Sequence, residues 1–163
     1  MESIRVVKFP QIQMVKSGLI TNMEELTEFD NWWSAIDMKD YITPRDFMYS
    51  ENDEKGKLIG MRWLFAIPRG FTDTGKYEVI DFPGGLYAVG TVRQDEFDDK
   101  EILQWIKNSQ FFEISNNGND PYRRYILHNV ITPRIFKEKI GYHLNDIFVP
   151  IEFKNIVKSP NGI

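Results

Sequence analysis

Two similar patterns of apolar and polar residues follow each other along the chain. The runs "IRVVKFPQIQMVKSG" and "YEVIDFPGGLYAVGTV" each contain an apolar extended segment, a Phe-Pro step and a second extended segment. Extended runs separated by Pro and Gly are typical of strands joined by a tight turn. The sequence therefore predicts the same β-hairpin twice, with turns at Phe9-Pro10 and Phe82-Pro83-Gly84-Gly85.

A helical pattern follows each predicted hairpin. In "NMEELTEFDNWWSAI" apolar residues spaced three, four and three positions apart form one helix face, namely Leu26, Phe29, Trp33 and Ile36. The stretch "DEFDDKEILQWIKN" repeats this stripe with Ile102 and Ile106. Asn22 and Asp98 each precede a Glu by three positions, which is the spacing of a helix N-cap and its partner. We therefore predict one amphipathic helix in each half.

Two further extended runs follow each helix. They are "RDFMYS" and "GMRWLFAIP" in the first half, and "PYRRYILHNV" and "DIFVPIEF" in the second. Connecting loops are predicted at "DMKDYITP", "ENDEKGK" and "NNGNDP" from their Gly, Pro, Asn and Asp content. A shift of 73 residues aligns Pro10 with Pro83 and Trp32 with Trp105. Because Trp is a rare residue, the matched pair indicates that one unit has been duplicated.

A duplicated unit of this size predicts an α+β fold with a mainly antiparallel sheet. One half alone would leave a sheet face in water, whereas two halves can join their sheets and place a helix each on the same face. The other face would be concave, with a central cleft at the seam between the halves. We expect a single domain over residues 1–158, with halves at about 3–68 and 76–153 and a flexible tail at 159–163.

Strand alternation predicts which side chains face the cleft. In "GMRWLFAIP" we expect Met61, Trp63, Phe65 and Ile67 to pack under the helices, since alternate residues share a face. Arg62, Leu64 and Ala66 would then lie on the opposite face. Tyr87 lies in "GGLYAVGTV", and Arg123 and Tyr125 lie in "PYRRYIL". For these two strands, alternation alone does not tell which set of side chains faces the inside.

Composition narrows the function classes. The chain has 163 residues and a net charge of −4, without the basic footprint of a nucleic-acid-binding domain, so we expect no direct nucleic-acid binding. No apolar run approaches a membrane span of about 20 residues and no signal peptide begins the chain, which favours a cytoplasmic protein without membrane contact. The absence of cysteine excludes disulfides, thiolate zinc sites and a Cys nucleophile.

The two histidines do not indicate catalysis or a metal site. His128 and His143 have no partner His at helical or hairpin spacing, and no Gly-x-Ser-x-Gly elbow is present. Gly84-Gly85 opens a strand rather than a helix, so we interpret it as a turn and not as a phosphate loop. We therefore predict no catalytic residues, no metal and no cofactor.

The runs "VIDFPGGLYAVGTV", "ILQWIKNS", "YRRYILHNVITP" and "LNDIFVPIEF" resemble the GyrI-like small-molecule-binding domain. This is the effector-binding domain of many bacterial AraC-type and MerR-type transcription regulators, which is also found alone. The resemblance covers residues 4 to about 153. It implies tandem strand–helix–strand–strand modules with pseudo-twofold symmetry and a pocket at their junction for aromatic or cationic molecules. Many members carry acidic residues at the places of Arg62 and Arg123.

Seven residues are the predicted ligand contacts: Arg62, Leu64, Tyr87, Trp105, Arg123, Tyr125 and Trp32. The arginines would either bind an anionic ligand or pair with a protein carboxylate such as Asp46, Glu78 or Asp146. The two Trp side chains would line the pocket rim or cap the sheet junction, whereas Trp33 and Trp63 are expected in the core.

We expect a stand-alone effector-binding domain, linked to transcriptional regulation or metabolite sensing, that binds an aromatic molecule without catalysis. The ligand would be anionic if the two arginines are its partners. One alternative is a small-molecule hydrolase that uses the same pocket, which would require a positioned base. Another is a module that binds a protein partner such as a regulator or DNA gyrase. The sequence does not indicate an oligomeric state.

Overall fold

A computed structural model describes residues 4–36, 46–93, 98–115 and 125–155. The strands are β1 (Arg5–Phe9), β2 (Ile12–Lys16), β3 (Asp46–Asn52), β4 (Leu58–Ala66), β5 (Glu78–Phe82), β6 (Gly85–Arg93), β7 (Phe112–Ile114), β8 (Leu127–Val130) and β9 (Leu144–Phe153). The helices are α1 (Met23–Ser34), α2 (Lys100–Asn108) and α3 (Arg134–Ile140). The predicted α+β class is confirmed, whereas α3 and β7 were not expected from the pattern.

The two predicted hairpins are wrong, because neither β1 and β2 nor β5 and β6 pair with each other. Each pair is instead one long strand with a bend at the Phe-Pro step. β1 pairs with β6, and β2 pairs with β5, all antiparallel. The Pro and Gly residues bend each strand without reversing it, so the chain passes from one half of the sheet to the other.

The register of this bent ribbon is the same on both sides of the bend. Arg5 pairs with Val89 and Phe9 with Gly85 before it, and Ile12 pairs with Phe82 after it, so the paired residue numbers always sum to 94. Residue numbers that sum to 94 and also differ by 73 fall at 10–11 and 83–84, so an exchange of the halves by 73 residues is centred beside both Phe-Pro steps. The register therefore supports the duplication, while superposition of residues 3–68 on 76–153 stays a prediction.

A second seam joins the halves on the other side of the sheet. The strand order is β1-β6-β9-β8-β3-β4-β2-β5, and β7 pairs with β9. Between β3 and β8 the register holds a single pair, Met48 with His128. The sheet is thus a curled antiparallel half-barrel, with the bent ribbon at one junction of the halves and this short contact at the other.

Both predicted helices cover the same side of the sheet. Phe29 of α1 packs on Val15, Trp63 and Phe65, and the half-buried Trp33 and Ile36 join this cluster. Ile102 and Ile106 of α2 pack on Ala88, Ile147, Val149 and Ile151. The placement of Trp63, Phe65 and Ile67 under a helix is confirmed, whereas Met61 is largely exposed near the start of β4.

The N-cap predictions are confirmed for α1 and shifted by one residue for α2. The Asn22 side chain accepts a hydrogen bond from the Glu25 N–H at 3.0 Å. The cap residue of α2 is Asp99 rather than Asp98, and its side chain makes no capping bond. All of "DMKDYITP" and "NNGNDP" lies outside the described residues, as do Arg123 and the predicted tail.

Substitution of Gly84 tests the bend. Gly84 has φ 68°, and a Cβ there would lie 2.5 Å from the carbonyl oxygens of Phe9 and Pro10. Both the left-handed backbone and the backbone clash penalise a side chain, so Gly84→Ala is expected to lower the free energy of unfolding by about 3 kcal/mol or more. Urea denaturation measures the change.

Gly70→Ala is the matched control. Gly70 also has a left-handed backbone, with φ 84°, but nothing lies within 4 Å of its added Cβ. Gly70→Ala should therefore lower the free energy of unfolding only by the cost of the left-handed backbone, which is about 1–2 kcal/mol. Equal losses in the two variants would contradict the close contact of the two bends.

Candidate functional site

The face opposite the helices is filled by side chains of both halves. Phe9 lies at the centre, with its ring centroid 5.2 Å from Phe47, 5.0 Å from Tyr87 and 5.3 Å from Phe148. Leu64 and Tyr87 are fully buried in this cluster. The predicted central face is therefore an aromatic core in which these two residues pack against protein.

The six predicted contacts that the structure describes do not come together. Leu64, Tyr87 and Tyr125 belong to the central cluster. Trp32 of α1 packs against the cluster beneath that helix, with its ring centroid 4.9 Å from that of Tyr77, and Trp105 stacks on Phe112 in the α2 cluster. The two Trp residues thus lie on the helix side of the sheet, opposite Leu64 and Tyr87.

Arg62 is held by a carboxylate of its own chain. Its Nε donates to Glu51 Oε2, and Nη2 lies 3.4 Å from Glu51 Oε1 in a two-point contact. Nη1 also donates to the Ser17 carbonyl oxygen at 3.3 Å. The hydrogen bond that Arg62 donates to Glu51 raises the pKa of Arg62 further, so the guanidinium stays charged and paired. None of the three carboxylates considered from the sequence is its hydrogen-bond partner.

A pocket of about 400 Å³ lies where β3 meets β8. It is lined by Ser50, Asn52, Asp99, Tyr125, Ile126, His128 and Ile147. Ile126 and Ile147 belong to the α2 cluster, which places the pocket towards the helix side of the sheet. Its position at the junction of the halves agrees with the predicted place of a site, although the face differs.

Two side chains give this pocket its chemical character. The Tyr125 ring stacks on buried Tyr49, with centroids 4.1 Å apart and an interplanar angle of 26°. Such stacking holds the ring in place as a flat wall. Burial lowers the pKa of His128 to about 4, so the imidazole is neutral at pH 7. Asp99 is the only acidic side chain among the described lining residues.

Tyr125 is a predicted contact that lines this pocket, whereas the other polar lining residues were not predicted. His128 was considered only as a metal ligand or a catalytic base. Leu127 packs in the central cluster, so alternation places Ile126 and His128 on the opposite face. That signal was readable in "YILHNV", but the β3·β8 junction that brings Ser50 and Asn52 beside His128 was not.

A second, more apolar groove of about 540 Å³ runs between the start of α1 and the β3–β4 turn. Its lining includes the exposed side chains Met23, Leu58, Ile59 and Met61. The polar groups around it are few, so it provides apolar contact but little to orient a bound molecule.

Two further observations concern the described residues as a whole. Their His, Asp and Glu side chains form no group of three or more suited to hold a metal ion. None of their helices is long and apolar enough to cross a membrane.

Comparison with known proteins identifies the fold. No family model matches the sequence, and no curated protein has a significant match to it. The C-terminal domain of EcmrR matches with a TM-score of 0.63 at 11% identity, over 92% of this chain and 97% of that one. The protein SAV2435 bound to tetraphenylphosphonium matches with a TM-score of 0.52 at 13% identity, over 92% and 94%.

A structure described as a hydrolase from Listeria innocua is also similar, with a TM-score of 0.59 at 9% identity over 91% of both chains. At these identities the likeness concerns the fold. It confirms the fold expected from the resemblance to GyrI-like domains.

The buried His128 predicts a specific dependence of stability on pH. In the unfolded chain a His has a pKa near 6.5, so below about pH 6.5 the unfolded state binds a proton that the folded state excludes. The free energy of unfolding that depends on keeping His128 neutral is fully present above that pH. It is lost as the pH falls towards about 4. With allowance for partial solvent screening, we expect a loss of roughly 2 kcal/mol.

Denaturant titrations at several pH values, with the wild type and His128→Gln, measure this effect. The variant should lose less stability than the wild type over the same interval. His143→Gln is the control, because His143 is the only other His of the chain. Its Nδ1 lies 3.2 Å from the Thr132 hydroxyl, just before β9. The attribution to His128 fails if its removal leaves the pH dependence unchanged.

Proposed function

We propose that this chain is a small-molecule-binding effector domain of the GyrI-like type, with its ligand in the pocket between β3 and β8. The observation that carries the proposal is this pocket at the junction of the halves, with a stacked Tyr125 ring as one wall. Its volume of about 400 Å³ lies in the range of ligand sites. The related fold of SAV2435, which is described with a bound tetraphenylphosphonium, supports the same function.

The lining favours an aromatic ligand that is neutral or cationic. Tyr125, Ile126 and Ile147 offer an aromatic face and apolar area, and Asp99 offers a negative charge. The anion preference expected from Arg62 loses its basis, because Glu51 already neutralises that guanidinium. Arg123 lies outside the described residues, and its contact with a ligand stays a prediction.

Binding without catalysis is the function that we favour over hydrolysis. The hydrolase alternative has one specific observation in its support, since Ser50, Asp99 and His128 line the same pocket. A general base has to accept a proton at the working pH, and a His with a pKa near 4 is a weak base at pH 7. Release of product from aromatic esters that is abolished by Ser50→Ala would favour the hydrolase instead.

A pair of ions with the same shape and opposite charge tests the ligand class. We expect tetraphenylphosphonium to bind more tightly than tetraphenylborate, because Asp99 attracts the cation and repels the anion. Tyr125→Ala should weaken binding of the cation about tenfold through loss of ring contact. Asp99→Asn should weaken it about threefold and reduce the difference between the two ions. Isothermal titration calorimetry provides both affinities.

Glu113→Gln is the control for net charge. Glu113 is exposed on β7 and does not line the pocket. Its substitution removes one negative charge, as Asp99→Asn does, but should leave both affinities unchanged. Tighter binding of tetraphenylborate, or equal effects of the two substitutions, would contradict the proposed site.

A further inference from the structure

Two strands lie at the ends of the curled sheet and occupy equivalent places in the two halves. Within the described chain, β1 pairs only with β6, and β5 pairs only with β2. An edge strand of this kind presents unpaired N–H and C=O groups that can accept another strand. Each edge also has an exposed valine, Val6 at 40% and Val79 at 42% exposure, and these two are 73 residues apart.

The two edges carry opposite charges at matching positions. β1 reads Arg-Val-Val-Lys-Phe, with exposed Arg5 and Lys8, whereas β5 reads Glu-Val-Ile-Asp-Phe, with exposed Glu78 and Asp81. A duplication alone would give both edges the same sign of charge. The charge is instead reversed at both positions, which makes the β1 edge complementary to the β5 edge.

Part of this charge is already used within the chain. Arg5 contacts Asp146, and Lys16 contacts Glu78. Lys8 has no ion-pair partner among the described residues, and Asp81 receives only an amide hydrogen bond from Gln13 at 3.5 Å. Lys8 and Asp81 are therefore the pair of charges that remains available to a partner.

We propose that a second copy of this chain docks by pairing its β5 edge with the β1 edge, in antiparallel orientation. Opposed residues of paired strands share a face, and Val7 and Ile80 both point into the central cluster of their own copy. Pairing Val7 with Ile80 continues that face from copy to copy. On the other face it brings Lys8 diagonal to Asp81 and Val6 diagonal to Val79, within reach of these side chains.

The charges also disfavour the competing contacts. β1 against β1 would bring Lys8 and Arg5 of two copies together, and β5 against β5 would do the same for Glu78 and Asp81. Like charges across paired strands are destabilising, so the sequence selects the mixed contact. Because each copy offers one edge of each kind, association is head-to-tail and extends beyond a dimer unless the arrangement closes into a ring.

Charge reversal at the exposed pair tests the contact. Sedimentation velocity over a range of concentrations should show weak self-association of the wild type that decreases with added salt. Lys8→Glu and Asp81→Lys should each weaken association by about threefold to tenfold. The double variant Lys8→Glu/Asp81→Lys should recover the wild-type association, which a nonspecific charge effect would not produce. Glu113→Lys, away from both edges, should leave association unchanged.

Cysteine substitution gives a second readout, because the natural chain contains no cysteine. Under mild oxidation, a mixture of Val6→Cys and Asp81→Cys, which are directly opposed when Val7 pairs with Ile80, should form the mixed disulfide faster than either variant forms its own dimer. A wild type that sediments as a monomer at every concentration, a double variant that is not rescued, or disulfides without preference for the mixed pair would overturn the proposal.

Discussion

The close contact of two bends holds the two halves in one sheet. Gly84 approaches the backbone of Phe9 and Pro10 so closely that a side chain has no space there. Because each long strand pairs with the other on both sides of the bend, the ribbon belongs to both halves at once. The central aromatic cluster, the order of the strands and the position of the second seam all follow from this crossing.

The same crossing determines where a pocket can form. The halves meet closely along the ribbon, and Phe9, Tyr87 and Phe148 fill the central face. On the opposite side the halves meet through the single register pair of Met48 and His128. Space remains beside this short contact, and polar groups from β3, α2 and β8 line it. A duplicated fold can thus retain one open seam although its central face is packed.

Duplication also explains why the chain has two equivalent edges with different surfaces. The apolar residues of β1 and β5 match, since both strands contribute to the same central cluster. The charged positions are exposed and do not affect this packing, so they are free to differ. Arg5 and Lys8 lie on one edge strand of the sheet and Glu78 and Asp81 on the other, so a folded monomer has two edges of opposite charge.

The sequence by itself determined the α+β class and the two helices with their buried faces. These depend on local periodicity, which is readable along the chain. It also indicated that Tyr125 lies near the junction. Only the tertiary structure decided that the Phe-Pro steps are bends, that Glu51 neutralises Arg62, and that Ser50, Asp99 and His128 share a pocket. Local patterns specify which face a residue takes, whereas contacts between distant segments depend on how the whole sheet curls and closes.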